Sequence, residues 1–224
     1  MSANVNNESG LLRLTDKELH YFVSEIVLQA NAVRNAILTL NAALPKNDSQ
    51  RVMTSAQGAI NAAMAINRLL WVNLATKDHM TEKEKEMRAW RLSRAKQLRK
   101  VAGNINAEKS PLAYRKVRNA FEHLEEYLDE FLFDIRRGTR PPITADMNMG
   151  AKTAFILNGE PMVHLRFFDF HANEVSVLDR TLNLQELVDE VNRVDRLARK
   201  WLQEHRLRTY GPYVAQYLED LDGE

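Results

Sequence analysis

Ser110 to Arg137, SPLAYRKVRNAFEHLEEYLDEFLFDIRR, carries the clearest helical pattern in the chain. Ser110 is a good N-cap, because its hydroxyl can accept from an orphan amide, and Pro111 suits the first helical position, where a missing N–H costs nothing. Tyr114, Val117, Phe121, Leu124, Leu128, Phe131 and Ile135 then recur in steps of three and four, the spacing of one buried helical stripe. The spacing predicts a single helix over 110–137. On a helical wheel Asn119 and His123 fall on one side, opposite the stripe, and Arg118 on the other shoulder, so all three are expected to face solvent.

Working outward, Thr15-Asp16-Lys17-Glu18 and Thr81-Glu82-Lys83-Glu84 are capping boxes, each heading an apolar-periodic run. The first helix runs to about Leu44, where Pro45 closes it. A second starts at Asp48 or Ser49 and ends in the apolar INRLLWVNL, Ile66 to Leu74. A third carries Met87, Trp90, Leu92, Leu98 and Val101 on an otherwise charged surface. Thr139-Arg140-Pro141-Pro142 cannot continue a helix, since proline lacks a donor and disfavours helix in the residue before it. Past it, Thr153–Leu157 and Met162–Phe168 flank Asn158-Gly159-Glu160-Pro161 and read as a hairpin, with Glu174–Leu178 as a third strand. Asn183, with Glu186 three residues on, caps a last helix.

The expected fold is mainly α: an up-and-down helical bundle of four to five long helices with a small antiparallel β-hairpin or three-stranded sheet appended. Residues 1–14 read as a disordered leader, 15–138 as the bundle, 139–208 as hairpin plus final helix packing on it, and 209–224 as a polar acidic tail. A chain of 224 residues, 45% hydrophobic, suffices for one sizeable core. With 31 Lys and Arg against 30 Asp and Glu, no global field argues for nucleic acid or membrane, so any such binding is local. Absence of cysteine excludes disulfides and thiolate metal sites. Neither a signal peptide nor a membrane-length apolar run is visible, and a soluble cytoplasmic protein is expected. There is no Gly-rich phosphate loop or nucleophile elbow. His123 and Glu126 stand one turn apart, but the paired Glu-x-x-His helices of a di-metal bundle are missing, so neither metal nor cofactor is expected. His20, His79, His164, His171 and His205 read as surface or hydrogen-bonded histidines.

Arg118-Asn119-Ala120-Phe121-Glu122-His123 resembles the hallmark of the HEPN superfamily, an Arg followed after four to six residues by His, with a polar residue often next to the Arg. The likeness runs from about Thr15 to Arg137, through INRLLW (66–71), an Arg-rich helix and SPLAYRKVRNAFEHLEEYLDE (110–130). It implies a helical bundle, frequent homodimerisation and, in many members, metal-independent RNA cleavage; other members only bind RNA or protein. Carried onto this chain, Arg118 and His123 would be catalytic, and Arg115, Asn119 and Glu122 would be binding residues. RNA would be the substrate and an antitoxin-like protein a further partner. The bare spacing also occurs at Arg13 to His20 and at Arg199 to His205. The plainer alternative is that Arg118 pairs with Glu122 four residues on, and that Asn119, His123 and Glu126 form a solvated face.

Overall fold

The computed structural model describes residues 13–72, 79–114, 116–143, 145–157 and 159–210. The expected leader (in all but its last two residues), most of the acidic tail, and Arg115 lie outside them. The chain is mainly helical, with a small mixed sheet. Its helices are α1 (Asp16–Ala43), α2 (Ser49–Leu70), α3 (Glu82–Val101), α4 (Lys116–Glu122), α5 (Leu124–Arg136) and α6 (Leu184–Tyr210). The strands are β1 (Asn148–Gly150), β2 (Ile156–Leu157), β3 (Glu160–Pro161), β4 (Arg166–Asp169), β5 (Glu174–Val177) and β6 (Arg180–Asn183). The fold divides into two compact units, and α1, α2 and α6 each contribute to both.

One unit comprises Met1–Ala30, Ala65–Ser110 and Asn192–Glu224. Both expected capping boxes form in it: Thr15 N donates to Glu18 Oε2 at 2.8 Å and Glu18 N to Thr15 Oγ1 at 3.3 Å, and Thr81 and Glu84 exchange the same pair. Leu19, Val23, Ile26, Ile66, Leu70, Leu98 and Val194 are buried. Much of the arginine content of α3 is structural. Arg99 Nη1 donates to the Leu70 carbonyl at 2.7 Å and Arg94 Nη2 to the Arg68 carbonyl at 3.3 Å, closing carbonyls that the last turn of α2 leaves open. Arg94 also lies over the Phe22 ring, which meets Trp90 edge-on. Of the apolar residues read on α3, Leu98 is buried, joined by Ala95, while Met87 and Leu92 are exposed, as a partly exposed amphipathic helix implies.

The other unit comprises Asn31–Met64 and Pro111–Val191. Asp48 caps α2 by accepting from Arg51 N at 3.0 Å, and Asn183 caps α6 by accepting from Glu186 N at 2.9 Å. The sheet has the order β1-β4-β5-β6, with β1 parallel to β4 and the other pairs antiparallel. It therefore has four strands and one parallel pair, where an antiparallel hairpin or three strands were expected. The anticipated hairpin shrinks to β2 and β3, which pair as Ile156↔Pro161 and Leu157↔Glu160. Phe167 and Phe168 are successive and both buried, so both faces of the sheet are covered. Helix α4 lies against β5 and β6.

The single helix expected over 110–137 is in fact three pieces. Pro111–Ala113 form a 3-10 turn around the buried Leu112, α4 begins only at Lys116, and the helix breaks at His123, with φ −123° and ψ 43°. Backbone bonds bridge the break, His123 N to Asn119 O at 2.9 Å and Tyr127 N to His123 O at 3.2 Å. The two sides have different anchors. While α4 rests on β5 and β6, α5 is tied to the start of β6 and to the segment that follows α5 itself: Arg180 lies over Tyr127 at 3.9 Å and Arg140 over Phe131 at 4.8 Å. Arg140 also joins Asp134 to Asp179, each at 3.2 Å. A kink satisfies both sets of contacts.

Candidate active site

The Arg118–His123 motif straddles this break. Arg118 sits on α4, between the buried Val117 and the half-buried Asn119, and its side chain is only 15% exposed. The wheel placed it in solvent, whereas it is half-buried on α4, which lies against β5 and β6. The guanidinium is held within its own helix. Arg118 Nε donates to Asn119 Oδ1 at 2.9 Å, Nη2 donates to the same oxygen, and Nε lies 3.2 Å from Glu122 Oε2. Asn119 thus orients Arg118. The expected Arg118–Glu122 pair across one turn is present, a charge-assisted contact that fixes the guanidinium direction.

His123 differs in kind. It occupies the N-cap position of α5, makes no capping bond and is 53% exposed. Its Nδ1 lies 3.8 Å from Glu126 Oε1, too long for a hydrogen bond and close enough for attraction once the ring is protonated. Beyond it the outer surface of α5 is acidic, with Glu125, Glu126, Asp129 and Glu130 exposed. The first two stand in the opening turn, where the helix dipole favours carboxylates. Donor atoms of His123, Glu125 and Glu126 come within 4.8 Å of one another, but all three residues are exposed, and the dipole accounts for the carboxylates without a cation. Leu132 and Phe133 are exposed on the same helix, Phe133 at 59%.

So the motif's parts stand in two settings: Arg118, Asn119 and Glu122 as a bonded trio on α4, and His123 in solvent at the head of α5. Arg115 lies outside the described residues. Chemically, this is a guanidinium held in a fixed direction on one helix and, five residues on, an imidazole exposed to solvent. Sequence reading missed the Asp134–Arg140–Asp179 bridge, whose partners are far apart in the chain. It also misjudged His164, which is buried and makes no ring hydrogen bond among the described residues, where a surface or hydrogen-bonded ring was expected. No helix among the described residues is long and apolar enough to cross a membrane. Compared with models of known protein families, with curated proteins and with solved structures, the chain matches none.

Proposed function

We propose that the chain is a HEPN-like, metal-independent endoribonuclease of the toxin or phage-defence type, acting as a homodimer, with Arg118 and His123 as its working pair. The observation that carries this reading is the helix break inside the motif, which leaves the His123 imidazole in solvent directly after a helix that holds Arg118 in a fixed direction. RNA supplies its own nucleophile. His123 removes the proton from a 2′-hydroxyl, whose oxygen bonds to the adjacent phosphorus, and the 5′-oxygen leaves with a proton. The products are a 2′,3′-cyclic phosphate and a free 5′-hydroxyl. Imidazole suits this step, since one ring nitrogen can take up a proton while the other carries one. Arg118 stabilises the charge gathering on phosphate, and Nη1, the terminal nitrogen not turned to Asn119, is its donor. Two chains meeting along α5, with the exposed Phe133 in the contact, would bring a second His123 as the acid for the leaving oxygen.

A second reading, a non-catalytic helical module that binds a protein, nucleotide or RNA partner, is favoured by one observation: Glu122 already neutralises the largely buried Arg118. Single-stranded RNA incubated in EDTA separates the two. Cleavage of the ribose strand but not of its 2′-deoxy counterpart supports the ribonuclease, whereas binding with no cleavage of either supports the module.

A further inference from the structure

His164 lies just before β4, where it forms a parallel bridge with Ala145. Its side chain is buried, the residue being 6% exposed, and neither ring nitrogen has a hydrogen-bond partner among the described residues. A neutral imidazole always presents one N–H and one lone pair, so both are desolvated here without compensation. What surrounds the ring is aromatic. Phe167 packs against it with centroids 4.5 Å apart, Phe155 meets it edge-on at 5.2 Å, and the two phenylalanines touch each other at 5.3 Å.

The charged groups on the surrounding segments offer a proton no welcome. Lys152, on the short helical turn before Phe155, repels a second positive charge. Asp146, next to the bridged Ala145, is engaged by Arg166 of β4 through both carboxylate oxygens. Asp169, at the far end of β4, accepts from the backbone amides of Lys152, His171 and Ala172 at 2.9–3.1 Å, and the His171 ring is itself exposed. Each carboxylate is already committed. Among the described residues an imidazolium at His164 would have neither counter-ion nor acceptor, and it would have to leave the pocket to reach water.

We propose that His164 is an acid-sensing switch in the sheet: on taking up a proton its ring leaves the Phe155–Phe167 pocket, and β1, β4 and the Phe155 segment open with it. Burial, reinforced by Lys152, holds the ring's pKa below its ordinary value. The sign follows. With the folded value below the unfolded one, the neutral ring's contribution is complete above about pH 6.5 and is lost as pH falls through the folded-state value. This device is independent of any catalytic role for Arg118 and His123.

Amide hydrogen exchange of the full chain between about pH 7.5 and 5, corrected for intrinsic exchange, tests it. In the parent, the opening constant for the β4 amides should rise by up to about tenfold per pH unit, the limit for one proton taken up on opening. His164→Leu and His164→Phe should remove that rise while leaving its counterpart in α1, around the buried His20, unchanged. A flat profile for β4 in the parent, or an equal rise in the variants, would overturn the switch. Should neither variant fold, NMR titration of the parent decides: the His164 ring should titrate only as the β4 amide signals disappear, and titration with the sheet intact refutes the proposal.

Discussion

Replacing Arg118 with Ala removes a side chain that the sequence alone would place in solvent and the fold places at 15% exposure. Two contacts go with it, the bonds to Asn119 Oδ1 and the ion pair to Glu122. Hydrogen bonds to charged groups contribute about 1.5–3 kcal/mol when well sheltered. Here the carboxylate of Glu122 is 36% exposed and water recovers part of that, so a net loss of about 1–2 kcal/mol follows. His123→Ala loses no side-chain hydrogen bond among the described residues, only the long contact to Glu126, and should stay within about 0.5 kcal/mol. At a urea m-value of about 2 kcal/mol per molar, the midpoint should fall by roughly 0.5–1 M for Arg118→Ala and by no more than about 0.25 M for His123→Ala. Arg118→Lys should fall between them, because one ammonium cannot reproduce the fork that spans Asn119 and Glu122. An Arg118→Ala protein as stable as the parent, or a His123→Ala protein equally damaged, would refute the division of the motif into a held arginine and a free histidine.

Three other perturbations probe the rest of the fold. In Gly150→Ala the new Cβ would stand 2.5 Å from Phe155 Cε2, and that ring is fixed by His164 and Phe167, so the sheet unit should lose about 1–3 kcal/mol in a thermal or urea melt. Thr81→Ala breaks the capping box of α3 and should cost about 1 kcal/mol, seen as faster exchange of the first α3 amides. Light scattering at about ten micromolar should give twice the 25.8 kDa chain mass, and Phe133→Asp should return it to that mass; a parent already monomeric there counts against paired sites.

Four helix starts were legible because capping is local: Thr15, Thr81, Asp48 and Asn183 each make the bond their side chains advertise, whereas Ser110 and Pro111 head a 3-10 turn rather than the expected helix. The break at His123 was not, since the stripe from Val117 to Phe131 keeps its three-and-four spacing across it, and periodicity cannot tell one helix from two that continue to face the same way. Only the long-range anchors, Arg180 on Tyr127 and Arg140 between Asp134 and Asp179, reveal two directions. Strands β1 and β6, Asn-Met-Gly and Arg-Thr-Leu-Asn, are short and largely polar; register against β4 and β5 makes them strands, and that information lies elsewhere in the chain. For the candidate site, residue identity and the Arg118–Glu122 pair could be read in advance. The burial of Arg118 could not, because a helical wheel carries no information on what else packs around α4.

The most direct test of the central claim is the rate at which purified protein cleaves single-stranded RNA in EDTA with and without the His123 imidazole. His123→Ala should fold like the parent yet cleave at least about a hundredfold more slowly, the scale of lost acid–base assistance. A folded His123→Ala protein that cleaves as fast as the parent would contradict the account.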